Sequence, residues 1–277
     1  MSETLRHYLF AGWRIARRQP FAVGAWFVCH TIWSMTLYDG VQQRVAAVMS
    51  RFPVRELPSE RAELFLNEAI TLLHTDGLAR PLLTALALLA FVRLVLAPFL
   101  QAGVYASIHN ANGPRGTTFV RGMRRHGLTF TLIACLRLAL IALPLYWLAP
   151  YMWRTLLASD SLTAAAGTLL APLVGFLLYG ALIRQLLIYV QLGKTADAGL
   201  LRSLLVAVRY ALPISALALI MLAVALLLGA AAYTLSWLTA GLLALIVYLA
   251  FPFVHIWLKL WTIAVHHRFW QDKTTSV

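Results

Sequence analysis

The chain has 277 residues, 61% of them hydrophobic and 12% charged, with 23 Lys or Arg against 10 Asp or Glu and a net charge of +13. Its mean hydropathy is +0.77. So apolar a chain excludes a water-soluble domain, and it moves the excess positive charge from nucleic-acid binding to the question of orientation in a bilayer.

A hydrocarbon core about 30 Å thick needs about 20 predominantly apolar residues in helical form, and that length criterion organises the chain. Residues 3–18 come first and read as a basic helix. Leu5, Tyr8, Leu9, Ile15 and Ala16 share one side of a helical wheel, and Arg6, Arg14, Arg17 and Arg18 lie opposite; Phe10 and Trp13 break the strict division. This pattern suits a helix lying in the headgroup layer. It does not suit a secretory signal, because the charged region is long and no small-residue cleavage pattern follows. A first span is expected over residues 20–38.

The next segment, 39–80, holds six of the ten acids. Val41, Val45, Val48 and Phe52 form a helical stripe, and after Pro53 and Pro58 a second stripe of Ala62, Leu66, Ala69 and Leu73 starts behind a Ser59 cap. The two helices read either as a lid or docking element or as a structural connection. Further spans are expected over residues 81–108, 128–152, 164–192, 212–235 and 239–266. Basic helical stretches at 117–126 and 198–210 precede the third and fifth spans. In the last of these stretches Leu201, Leu204, Leu205 and Val208 form the apolar face.

Charge outside the spans sets the expected topology. Segments 1–19, 109–127, 193–211 and 267–277 carry 13 basic residues and 3 acids, whereas 39–80, 153–163 and 236–238 carry 6 basic residues and 7 acids. The positive-inside rule then predicts both termini in the cytoplasm. Tyr38, Tyr146, Trp147, Tyr151, Trp153, Tyr233 and Trp237 fall near the outer boundary. Trp13, Tyr105, Tyr189, Tyr210, Trp261 and Trp270 fall near the inner one, as interfacial anchors do. The expected architecture is all-α and polytopic, a single integral membrane domain over residues 1–277. Its six spans are arranged as three units, each an interfacial helix followed by a transmembrane hairpin. The corners at Gln19-Pro20, His126-Gly127 and Tyr210 to Pro213 are where the helix axis is expected to turn.

Four cations, Arg93, Arg137, Arg184 and Lys259, lie within spans that contain no acid. A cation at the centre of a membrane helix costs about 2.5–3.5 kcal/mol on insertion scales, so it calls for a dipole, water or an anion. Arg184 and Lys259 lie near enough to helix ends to snorkel. Arg93 and Arg137 fall near the midplane and are the stronger candidates for holding an anionic lipid. Gln101, Gln185 and His255, with carbonyls freed by Pro98 and Pro252, are polar partners for them. His266-His267 reads as a solvated interfacial pair and not as a metal pair, because adjacent helical residues diverge by about 100° and no Cys, Asp or Glu completes a ligand set. Cys29 and Cys135 sit in apolar stretches and imply no disulfide framework. No nucleophile elbow, Walker loop or HExxH occurs, so no catalytic residue, cofactor or metal site is predicted.

The stretch Gln101-Ala102-Gly103-Val104-Tyr105-Ala106, with Asn112-Gly113 and the corner from Phe119 to Gly127, resembles bacterial six-helix membrane proteins. These include the membrane domain found fused to glycerophosphodiester phosphodiesterases and inner-membrane proteins of similar length. The resemblance covers the layout of the whole chain and carries over no catalytic motif; the soluble phosphodiesterase domain is absent. It implies no enzymatic activity, and the leading expectation remains a non-enzymatic integral inner-membrane protein with an envelope, lipid-handling or accessory role. Its partners would be membrane lipids, with anionic headgroups at the cytoplasmic face. The competing class is a transporter or permease subunit working with a cytoplasmic ATPase. The missing intramembrane acids weigh against an ion-driven carrier.

Overall fold

The computed structural model describes residues 2–49, 79–111, 113–158, 162–238 and 242–275. Eight helices and no strand occur among them: α1 (Ser2–Arg17), α2 (Pro20–Met49), α3 (Ala79–His109), α4 (Arg115–Ala158), α5 (Leu162–Thr195), α6 (Leu200–Arg209), α7 (Ala211–Leu238) and α8 (Leu242–Thr275). Five of these, α3, α4, α5, α7 and α8, are long and apolar enough to cross a membrane. The protein is therefore a multi-pass helical membrane protein. In α2, which has 30 residues, His30, Thr31, Ser34 and Thr36 dilute the apolar run. Of the segment 39–80, the first stripe continues α2 up to Met49; Phe52 and the second stripe lie outside the described residues.

The chain divides into two units, Met1–Gly24 with Pro98–Val277, and Ala25–Ala97. In the first, α1 lies along α8, α7 packs on α8, α4 on α5, and α6 rests against both α5 and α8. Buried apolar residues gather at the helix ends that carry the basic segments: Tyr8 and Ala16, Val104 and Ile108, Phe119 and Phe130, Tyr189 and Leu192, Ile214 and Leu217, Leu260 and Phe269. Away from those ends, over residues 134–158, 170–186 and 222–238, no described residue is buried. Leu143, Leu177 and Leu227 are exposed there, as are Tyr146, Trp147 and Trp237 of the outer aromatic set. Exposed apolar area costs about 25 cal/mol per Å² in water and next to nothing against acyl chains, so these surfaces belong in lipid.

Small residues set the tight crossings. Gly103 lies against Phe119 and Met123, and a Cβ at Gly122 would overlap Ala106, so α3 and α4 touch almost backbone to backbone. Gly12 does the same for α1 against Val265 of α8. The chain turns between α5 and α6 through Asp197 at φ 52° and Gly199 at φ 80°, left-handed conformations that Asp tolerates and Gly adopts freely.

Two sequence expectations change. The helix break at Gly127 is absent: α4 runs unbroken for 44 residues, about 66 Å, and Gly127 is small because the Phe99 ring lies against it. The stretch 117–126 is thus the start of α4 and not a separate helix. The inner aromatic set is only partly a surface belt, because Tyr105, Tyr189 and Trp270 are buried core residues. In α6 the residues facing the protein are Ser203, Val206 and Ala207, while Leu201, Leu205 and Val208 point outward. The corners at Gln19-Pro20 and Tyr210 do separate helices.

Candidate functional site

The packed end of the first unit holds an unusual density of buried polar groups. Gln19, in the corner between α1 and α2, is 2% exposed and donates from Nε2 to the Ser107 carbonyl at 2.9 Å. The hydroxyl of Tyr8 donates to Asp272 Oδ2, and Trp261 Nε1 donates to the Leu9 carbonyl at 3.0 Å, so the middle of α1 is tied to two positions along α8. Burial and the carboxylate of Asp272 together push the Tyr8 phenol up to about 12.

His266 and His267 belong to this core. They are 1% and 2% exposed, which corrects the expectation of a solvated pair. The roughly 100° between neighbours on a helix, which argued against a joint role, sends each ring to a different partner. His266 Nδ1 lies 3.2 Å from the Tyr189 hydroxyl, and His267 Nε2 lies 3.2 Å from His109 Nδ1. Among the described residues no partner reaches His267 Nδ1, Ser107 Oγ or Trp270 Nε1. No group of three or more His, Cys, Asp or Glu is placed there to hold a metal ion.

Above this base lie the intramembrane arginines. Tyr179 of α5 donates to the Leu140 carbonyl of α4 at 3.0 Å, which sets the antiparallel register of the two helices. With Tyr179 beside Leu140, Arg137 and Arg184 come to neighbouring levels of the two helices, within about one or two turns at 1.5 Å per residue. Their charges act on one another, and both act on Tyr105 of α3. Both arginines are exposed, and neither α4 nor α5 contains an acid. Arg184 also acts on buried His266, so the pair stands at the junction of the lipid-facing surface and the polar core.

The remaining candidates do not all converge there. Gln101 is half-buried one turn before Tyr105 on α3, whereas Gln185 accepts a hydrogen bond from Ser215 of α7 at 3.2 Å. Lys259 and His255 are exposed on α8, and the His255 ring lies 6.3 Å from that of Phe251. Arg93 belongs to the second unit, where its guanidinium stands 5.4 Å from the centroid of the Trp33 ring, a cation–π contact that supplies part of the missing counter-charge. Within the first unit, the neighbourhood of Arg137 and Arg184 is what the structure adds to these candidates.

Sequence reasoning missed His109 and the burial of His266, His267 and Tyr189. The signal was faint but present: a His doublet flanked by Val265, Phe269 and Trp270 has no charged neighbour except Arg268 within three residues on either side. The fold and the site together define a polytopic α-helical membrane protein with a buried polar base and an arginine pair at mid-helix. The chain matches no protein-family model, no curated protein and no solved structure.

Proposed function

We propose that the protein is a non-enzymatic, multi-pass protein of a bacterial inner membrane that handles anionic lipid, with Arg137 and Arg184 holding a lipid phosphate within the bilayer. The observation that carries this reading is the placement of two exposed guanidiniums, whose charges act on one another, on packed helices that contain no acid. Like charges so placed in a low dielectric repel strongly, and an anion between them turns that cost into attraction. A phosphate suits the position, because guanidinium forks bind its oxygens bidentately.

The reading includes six spans and cytoplasmic termini, supported by the length of α2 and by the 13 basic residues against 3 acids in the segments expected inside. The outward leucines of α6 suit insertion at the acyl boundary. They equally suit docking of a cytoplasmic ATPase, the feature that favours a permease subunit as the second reading. Lipid mass spectrometry on purified protein tests the first. Arg137→Gln with Arg184→Gln should strip co-purified anionic lipid from a folded protein. Undiminished anionic lipid, or a stoichiometric ATPase in its place, would overturn it.

A further inference from the structure

A second basic site lies at the corner between α2 and α4, well away from the mid-helix pair. The first turn of α2 and the first three turns of α4 line an open cleft of about 780 Å³, whose walls are Phe21, Gly116, Thr117, Val120, Arg121, Arg124 and Arg125. Thr117, Arg121 and Arg124 fall at i, i+4 and i+7, on one face of α4. Phe21 closes the opposite wall and is held there edge-on against Phe119, with ring centroids 5.6 Å apart.

The charges in the cleft are unequal. Arg125 is paired with Asp197 at 2.8 Å, a bond between well-exposed groups that adds little stability but uses up its charge. Arg121 and Arg124 have no ion-pair partner among the described residues. Beside them Phe21 and Val120 are each 45% exposed. A free inorganic anion gains nothing from such apolar walls, whereas a phospholipid brings a phosphate and apolar chain in the same molecule. The depth also fits. Arginines clustered in the first three turns of α4 are too costly for the hydrocarbon core, so this part of the 44-residue helix lies at headgroup level, where lipid phosphates are.

We propose that this cleft binds the phosphate headgroup of an anionic phospholipid, with Arg121 and Arg124 on the phosphate and Phe21 and Val120 against the start of the acyl chains. The proposal deepens the lipid-handling reading but uses a different site, so either stands if the other fails. A smaller basic cleft of about 400 Å³, lined by Phe10, Trp13, Arg14, Arg17 and Arg18 of α1 and the corner that follows it, serves as the comparison.

The test is native mass spectrometry of the full-length protein in neutral detergent, titrated with phosphatidylglycerol or with phosphatidylcholine. Wild type should take up phosphatidylglycerol first and more tightly. Each basic side chain near the headgroup layer is worth about fivefold in affinity, so Arg121→Gln with Arg124→Gln should weaken the first phosphatidylglycerol about thirtyfold. Val120→Glu, which keeps both arginines, should weaken it comparably. Arg14→Gln with Arg17→Gln removes the same charge from the same end of the protein and should leave it within about twofold.

Three results would overturn the proposal: wild-type affinity in both cleft variants, equal loss in the Arg14 and Arg17 variant, or displacement of the lipid by inorganic phosphate alone. The second would mean a diffuse surface field and the third a free-anion site. Loss confined to the Arg137 and Arg184 variant would sink the cleft and keep the mid-helix site; loss confined to the cleft variants would do the reverse.

Discussion

Gly12→Ala puts the seat of α1 on α8 under direct strain. A Cβ at Gly12 would lie 2.5 Å from Val265 Cγ2, 2.8 Å from the Val265 nitrogen and 2.9 Å from its Cα. Ordinary contacts between such atoms are about 3.5–4.0 Å, and two of the three belong to backbone that no rotamer change can move. α1 must therefore retreat by about 1 Å, which stretches the 3.0 Å bond from Trp261 Nε1 to the Leu9 carbonyl beyond hydrogen-bond reach. Overpacking costs about 1–3 kcal/mol and the lost hydrogen bond about 1 kcal/mol, against a gain of about 1 kcal/mol from replacing Gly by Ala within a helix.

The net expectation is a destabilisation of about 1–3 kcal/mol, read as an earlier unfolding transition of the purified protein in detergent by tryptophan fluorescence. Gly24→Ala is the internal control. It sits in α2 with no atom within 4 Å of the added Cβ, so it should keep the helix gain alone and match or exceed wild type. If Gly12→Ala were as stable as Gly24→Ala, the close approach of α1 to α8 would be refuted. With it would go the fixed position of Arg14, Arg17 and Arg18 at the corner.

Two further substitutions probe the same base. Tyr8→Phe removes the hydrogen bond from a buried phenol to the exposed Asp272 carboxylate and should cost about 1 kcal/mol at neutral pH. Because the fold holds the neutral phenol and raises it to about 12, the contribution of Tyr8 is whole below about pH 10, its ordinary value, and is lost as pH climbs toward 12. The stability gap between wild type and Tyr8→Phe should therefore close across that window in detergent melts; a constant gap would refute the assignment. Gly193→Ala drives a methyl group into the Ser203 side chain and should loosen α6 from α5 by about 1–3 kcal/mol. Adding Ser203→Gly should recover part of that loss in a double-mutant cycle, and strict additivity would show that the two residues do not touch.

Most of the helical layout was written in the sequence, because the free energy of placing a segment in a bilayer depends on the length and composition of that segment alone. The apolar runs that mark α3, α4, α5, α7 and α8 carry that information, and so do the helix boundaries at Gln19-Pro20 and Tyr210. What the sequence could not decide is which apolar surface meets protein and which meets lipid. Both environments favour the same side chains, so periodicity is silent where it would speak in a soluble helix.

Only the packed structure shows that Gly127 accommodates Phe99 instead of turning the chain, and that Tyr105, Tyr189 and Trp270 are core residues. Only the structure pairs His266 and His267 with partners on two other helices, at Tyr189 and His109. The arginines follow the same logic. Their presence in acid-free spans was legible from composition, and Arg93 and Arg137 looked equivalent by depth. The packing of α4 on α5, marked by the Tyr179 bond to the Leu140 carbonyl, brought Arg184 near Arg137, because neighbours across helices are chosen by packing, which no one-dimensional pattern records.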